Sequence, residues 1–455
     1  MSVLCRDVDV AVRWSDAERA RALKRIISKS AIAKALARSG LGRRKCKRLP
    51  RWFVIWLVIA LGLFCPDSYR QVFRWLHRFS KKGGTPGRST ICEARKSLGV
   101  APLRWLAEQV IQLQGRPKTP QAFYAGMRLM AIDGFVVNVF DSPANDRAFG
   151  RPGNQRSKGA FPQARVVSLC ETGTHVLWKS MIKPYRRGEA SMAHALVRFL
   201  EENMLLLWDR VFLGFALVQK VRARGAQLLS RAKNNLIFTP TKKLPDGSYL
   251  AKMYASQRHR DRDQEGIVVR IIEYTFNDPQ RPGAGEKHRL LTTLLSAREH
   301  PAQRLIVLYH ERWEEELAID ELKTHLREKR VLRSETPAGV VQEIYGLLLG
   351  HYVVRKLMCE AADFADCAPR ELSFVNTLKI LRCRLPECPR SERGLARWWK
   401  LLVREVAAER LPPRRNRVNP RVVKLTQSKW PRKRPKHRKF PQPSKPFHRS
   451  IHLLN

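Results

Sequence analysis

The chain has 455 residues, and 87 Lys+Arg against 40 Asp+Glu leave a net charge of +47 and a pI near 10.8. With 44% hydrophobic residues it can bury real cores, which excludes wholesale disorder, and the usual prior of about 150 residues per domain predicts about three domains. So large a positive field concentrates polyanions, making nucleic acid the first partner to expect and an anionic membrane surface its competitor.

In chain order, the first sixteen residues mix charges into their apolar positions and lack the uninterrupted core and cleavage site of a secretory signal, so a cytoplasmic location is expected. From Ala17 to about Gln114 the pattern is helical. Basic residues precede and follow an apolar segment: Arg43, Arg44, Lys45, Lys47, Arg48 and Arg51 before it, then Arg70, Arg74, Arg78, Lys81 and Lys82. That segment, Trp52 to Cys65, is fourteen residues long, whereas spanning a bilayer takes about 20, so it predicts a buried helix and no membrane span. Ser89 or Thr90 is positioned to cap the next helix, which stops at Gly99. Residues 1–117 therefore read as a small helical domain whose basic face suits DNA, although a charge run also fits a plain solvated face.

After Pro117–Pro120 the periodicity changes. Leu129–Phe140 is apolar and β-branched, and Arg165–Ile182 holds two apolar runs around Glu171-Thr172-Gly173-Thr174, as in a hairpin. A helix from Glu189 to about Asn203, a buried strand Met204–Trp208 ending at Asp209, a helix Phe215–Arg224 and a strand Ala226–Ala232 complete a mixed α/β sheet over residues 118–234. Residues 235–288 are polar and turn-rich with one strong strand, Gly266–Phe276, and are expected to form a β-rich insertion. The core resumes at Leu290–Leu295. A long helix from Pro301 and further amphipathic helices carry it to residue 409. Residues 410–455 contain 15 Lys+Arg and no acid, about a third of the net charge, and are expected to be unfolded alone and to dock on a polyanion. The nine cysteines are scattered and contain no C-x-x-C pair, so reduced thiols fit better than disulfides or a zinc ribbon.

In so basic a chain, acids in apolar settings call for explanation. Asp133 follows Ala131-Ile132, and Asp209 follows Leu205-Leu206-Leu207-Trp208, so each carboxylate is expected at a core strand, where ionisation is costly without a metal or a base beside it. A helix cap or a salt bridge is the plainer reading of either alone. In the helix around residues 308–326, Tyr309, Arg312, Glu316 and Lys323 are spaced to share one face, with Trp313, Leu317 and Leu326 on an adjacent apolar stripe. A metal ligand flanked by phosphate-binding groups fits that row, and so does an i,i+4 ion-pair ladder on an exposed helix.

These residues resemble the DDE transposases of bacterial insertion sequences, specifically the insertion-sequence-4 type, over most of the chain. The family's helix order (Tyr, two residues, Arg, three residues, Glu, six residues, Lys) is met by Tyr309, Arg312, Glu316 and Lys323. Its first Asp follows an apolar strand and precedes Gly, as do Asp133-Gly134, and its second lies in a Leu-rich strand before Arg-x-Phe, as in Asp209-Arg210-Val211-Phe212. The runs Arg43–Phe64 and Ser89–Gly99 are similar to the family's N-terminal domain. Two departures stand out. The family commonly has Gly where this chain has Val211, and no Trp occurs between Trp208 and Trp313 to match the aromatic that stacks on a flipped base in some relatives.

The resemblance implies an RNase-H-like mixed-sheet core with a β-rich insertion, preceded by an α-helical DNA-binding domain. It implies that Asp133, Asp209 and Glu316 hold two Mg²⁺ ions, with Mn²⁺ able to substitute, that Arg312 and Lys323 neutralise phosphate, and that Tyr309 hydrogen-bonds a phosphate near the cleaved end. The expected function is cleavage at an element's inverted-repeat ends and transfer of the 3′ ends to target DNA, by a homodimer on paired ends, at the bacterial nucleoid. A catalytically inactive DNA-binding regulator, marked by a broken triad, and a metal-dependent DNA nuclease are the alternatives.

Overall fold

The computed structural model describes residues 19–42, 49–76, 85–153, 159–210, 213–233, 236–276, 285–328, 331–389 and 391–412. The basic runs around residues 43–48 and 77–84, Val211 and residues 413–455 of the tail lie outside them. Five helices come first: α1 (Lys29–Arg38), α2 (Arg51–Leu63), α3 (Tyr69–Leu76), α4 (Arg88–Leu98) and α5 (Ala101–Val110). The apolar segment is α2, buried from Phe53 to Leu63 as its all-round apolar sequence requires. No helix among the described residues is long and apolar enough to cross a membrane. Helix α4 begins at Arg88 with Gly87 as its N-cap rather than at Ser89 or Thr90, and it stops at Gly99, whose φ of +67° is cheap only for glycine.

The strands are β1 (Phe123–Tyr124), β2 (Met127–Val139), β3 (Gln163–Glu171), β4 (Val176–Pro184), β5 (Met204–Trp208), β6 (Gln227–Arg231), β7 (Pro240–Lys243), β8 (Tyr249–Met253), β9 (Ile267–Tyr274), β10 (His288–Thr292) and β11 (Val331–Leu332). They form one mixed sheet in the order β4-β3-β2-β5-β6-β10-β9-β8-β7, with β1 and β11 pairing off β2. Strands β2, β5 and β6 are parallel neighbours, and the β2-β3-β4 meander is antiparallel. The insertion has three strands rather than one, and they extend the core sheet through β9 and β10. Sequence periodicity misses β7 because all four of its residues are exposed.

Between the strands run α6 (Pro143–Phe149), α7 (Glu189–Leu196), α8 (Phe215–Ala223) and α9 (Gln257–Asp261). Helix α7 ends at Leu196 and passes into a 3₁₀ turn, Val197–Phe199, several residues before Asn203. After β10 come α10 (Ala302–Tyr309), α11 (Trp313–Asp320), α12 (Pro337–Ala365), α13 (Phe374–Arg384) and α14 (Glu392–Ala407). One hydrophobic core joins the first helices to the sheet. Where α2 crosses the 29-residue α12, a Cβ on Gly62 would lie 2.1 Å from the Gly346 carbonyl oxygen, so only glycine allows that approach.

Candidate active site

Strands β2 and β5 run parallel, and their last paired rung is Ala131 opposite Leu207. Two residues further along each chain stand Asp133, still within β2, and Asp209, the residue after β5 ends, so both acids lie at the same end of this strand pair. Each is oriented by the next backbone amide. The Gly134 N–H donates to Asp133 Oδ1 at 2.8 Å, and the Arg210 N–H to Asp209 Oδ1 at 2.6 Å. Burial pushes the Asp133 carboxyl up to about 6; the Gly134 amide and Arg312 oppose this, while the charges of Glu189 and Glu316 add to it.

The third carboxylate arrives on a helical path that changes pitch three times: α10, a 3₁₀ turn at His310–Arg312, α11, then a π-helical stretch at Glu321–Leu326. The buried Tyr309 hydroxyl donates to the Trp208 carbonyl at 3.1 Å, tying the helix to the residue before Asp209. Burial drives that phenol up to about 12, with Arg312 and Asp209 among the charges that act on it. Arg312 is buried and donates from Nη2 to Glu316 Oε1 at 3.0 Å, leaving its buried Nε with no partner. Asp209, Glu316 and Tyr309 hold the guanidinium charged against the burial that opposes it. The i,i+4 pair therefore exists, partly buried at the acidic cluster.

The structure thus gathers Asp133, Asp209, Tyr309, Arg312 and Glu316 and leaves Lys323 exposed on the π-helical stretch. The apolar stripe divides. Leu326 is buried, but Trp313 and Leu317, on α11 ahead of the π-helical stretch, are 46% and 41% exposed. Among the described residues no three His, Cys, Asp or Glu side chains close on a single point. In donor type and alignment the acids nonetheless fit a hard divalent cation: Asp133 carries a burial cost that a cation would lift, and Glu316 faces Arg312 in the cation's place.

Two features escape sequence reasoning. Glu315 is fully buried beside the backbone amide of Asp133, and neither of its carboxyl oxygens completes a hydrogen bond; burial and the Asp133 charge push its carboxyl well up. On the inner side of the same helical path, His175 bonds Glu314 through Nε2 and Glu321 through Nδ1, both at 2.8 Å. Arg355 and His351 of α12 also bond Glu321, at 2.8 and 3.0 Å. Burial resists the Glu321 charge, but Arg355, His175 and these hydrogen bonds outweigh it and hold the carboxyl well below its usual range. His175 itself takes a left-handed conformation, φ +56°, and the members of this hub lie 30 to 180 residues apart in sequence, beyond any local window.

The chain matches the family model described as the transposase DDE domain over residues 124–352, half of its length, and the insertion element 4 transposase N-terminal model over residues 17–108. It belongs to the DDE transposase family. It is 28% identical over 417 residues to the transposase InsG of insertion sequence element IS4 from Escherichia coli (strain K12), covering 88% of this chain and 91% of that one. InsZ of the same organism is 29% identical over 185 residues, 39% of this chain and 60% of its own. Among solved structures, the piggyBac transposase synaptic complex with hairpin DNA aligns with 88% of this chain and 87% of its own at a TM-score of 0.42 and 10% identity. The protein is a DNA transposase with an RNase-H-like core: it binds DNA, cleaves it and transfers strands, with dependence on a divalent metal ion.

Proposed function

We propose that Asp133, Asp209 and Glu316 are the metal-holding catalytic triad, that they take two Mg²⁺ ions with Mn²⁺ able to substitute, and that the reaction cuts an element's inverted-repeat ends and joins the 3′ ends to target DNA. The observation that supports this reading is that Asp133 and Asp209 lie at the same end of the β2-β5 pair, while Glu316 and Arg312 act on Asp133, and Asp209 and Glu316 act on Arg312. When bound, such ions supply the positive charge that favours both the attacking oxygen and the leaving 3′-oxygen of an in-line displacement.

The chain's own groups then have definite tasks. Asp133 acts as the carboxylate, the form that prevails above about pH 6. Glu316, paired with Arg312 in this structure, would help to hold the ion, and Arg312, whose Nε has no protein acceptor, would offer its fork of donors to phosphate. Lys323, exposed at the end of the same path, adds a second cation for the strand. Tyr309 holds the helix to Trp208 in the DNA-free chain, and it reaches a phosphate near the cleaved end only by giving up that bond. The first helices read the element end, and two chains act together as a homodimer on paired ends.

The test uses the full chain and a duplex carrying its element's end, with Mg²⁺, with Mn²⁺ and with EDTA. A nick at the boundary followed by joined product is expected with either metal and not with EDTA. Asp133→Ala, Asp209→Ala and Glu316→Ala should each lower cutting by several orders of magnitude while sparing DNA binding. Full cleavage by any one of them would refute the assignment, and binding without cutting by the unaltered chain would make it a regulator.

A further inference from the structure

Between the first helices and the outer edge of the sheet lie two clefts, of about 360 and about 830 Å³, that share Arg104, Glu108, Lys179, Arg198 and Phe199 in their walls. Strand β4 ends the sheet order, so its outer edge has no strand beside it among the described residues. One wall is α1 and α5, carrying Lys34, Arg38 and Arg104; the other is β4 and the 3₁₀ turn after α7, carrying Lys179 and Arg198. None of these residues belongs to the carboxylate site, and Glu108 is the single acid in either lining.

The manner in which these cations are held distinguishes this surface from an ordinary solvated face. Elsewhere in the chain arginines are commonly matched to carboxylates, as in Arg151 with Asp146 at 2.8 Å and Arg384 with Glu405 at 2.9 Å. Among the described residues no ion pair engages Lys34, Arg38, Arg104, Lys179 or Arg198, and four of the five rest on aromatic rings. The Arg38 guanidinium lies 3.6 Å and that of Arg104 4.7 Å from the centre of a Trp105 ring. Arg198 lies 4.8 Å from Phe199, and the Lys179 ammonium lies 4.8 Å from Trp178 and 5.5 Å from Phe199. A ring face fixes a cation's position without neutralising it, so the full charge stays available to an anion. Lys34 and Arg38 add spacing: four residues apart on α1, they form a row about 6 Å long. Burial lowers the Lys179 ammonium against the smaller opposing pull of Glu108 and Glu201, a cost that an incoming anion would relieve.

We propose that this cleft is a second DNA-contact site, separate from the carboxylates, in which Lys34, Arg38, Arg104, Lys179 and Arg198 grip the phosphodiester backbone of one strand of the DNA substrate where it passes from the first helices to the sheet edge. The cleft's concavity and near absence of acid suit a polyanion. A strand seated there crosses the junction between the end-reading helices and the catalytic sheet, so occupation of the cleft would couple the two.

The test needs no catalysis, so it fails or succeeds independently of the triad. Binding of the full chain to duplex DNA is measured with EDTA across a salt series. The first variant changes Lys34, Arg38, Arg104 and Arg198, all exposed, to Ala; the control changes Lys220, Arg222, Lys242 and Lys243, equal in charge and also exposed. Each phosphate contact contributes about 0.9 to the slope of log K against log salt, so the cleft variant should lose about 2 or more from the slope and bind at least about tenfold more weakly than the control at ~0.1 M salt. Lys34→Ala with Arg38→Ala, confined to one exposed helix face, should reproduce about half of the slope change and guards against misfolding of the larger variant. Equal losses in cleft variant and control would mean that only net charge matters, and an unchanged slope would mean that no phosphate is held there; either overturns the proposal.

Discussion

A largely buried carboxyl with one backbone donor and acidic neighbours gives up its proton less readily than one in water, and Asp133 is in that condition beside Glu189 and Glu316. Its carboxyl rises from 3.8 to about 6 on folding, so the native chain binds the proton more tightly than the unfolded one. The resulting destabilisation is complete above about pH 6 and disappears as the pH falls toward 3.8. Asp133→Asn removes the charge and keeps the shape. In EDTA it should be more stable than the parent by roughly 1–3 kcal/mol at pH 7.5, with the advantage fading by about pH 4, and it should lose metal-dependent cutting entirely. Urea midpoints at the two pH values check the first expectation, and the same melts in Mg²⁺ should favour the parent instead, because only an acid at residue 133 gains from the cation. Equal midpoints for the two proteins at both pH values would mean that Asp133 carries no burial cost. Glu315, one residue before Glu316 in the chain and buried behind Asp133, bears the same kind of cost without an evident ligand of its own.

The helical path from Ala302 to Leu326 is held on two sides, and the two differ in kind. Toward the strands its groups are Tyr309, Arg312 and Glu316; toward the interior they are Glu314 and Glu321, clamped by His175 from the β3-β4 turn and by Arg355 and His351 from α12. Glu314 and Glu321 lie on either side of Glu316 in the chain, so the clamp fixes the very turns that carry the proposed third carboxylate of the triad. Glu321→Gln would leave Arg355 buried without its counter-charge and should cost about 3–5 kcal/mol, read as a lower urea midpoint. Glu321 titrates well below its usual range, so the stability that it contributes is present near neutrality and above; it is lost only in strong acid, as the pH falls through its depressed value. The difference between Glu321→Gln and the parent should therefore narrow at low pH, and a constant difference would exclude the ion cluster as its source. This clamp marks the limit of what local sequence shows. Strands β2 to β6 were legible from period and β-branching, and the row Tyr309, Arg312, Glu316 from spacing. Partners brought together by the fold, such as His175 with Glu314, leave no trace in a window of neighbouring residues. The stripe of Trp313, Leu317 and Leu326 could not be sorted into buried and exposed members for the same reason, since spacing reports a shared face and not which way that face turns.

Across the whole molecule, charge and packing divide the work. The core is continuous from the first helices to the sheet, and the α2-α12 crossing at Gly62 and Gly346 leaves those helices little independence from the catalytic sheet. Charge is concentrated differently. Residues 413–455, outside the described structure, carry fourteen Lys+Arg and no acid, whereas the last described turn is fastened to the core: Ser373 N–H donates to Glu409 O at 2.8 Å and Leu411 N–H to Glu371 O at 2.7 Å. Truncation after Pro412 keeps that fastening and removes only the basic extension. If the extension acts as a polyanion-binding arm, the shortened chain should melt within about 2 °C of the parent, because no described packing is lost, yet bind duplex DNA with a flatter salt dependence. Fourteen cations need not mean fourteen phosphate contacts; even five would flatten the slope of log K against log salt by about 4.5 and weaken binding by orders of magnitude at low salt. Loss of slope with no loss of melting temperature places the arm outside the fold and on the DNA. A lowered melting temperature with an unchanged slope would instead make residues 413–455 part of the folded core, with their charges turned to the protein's own acids.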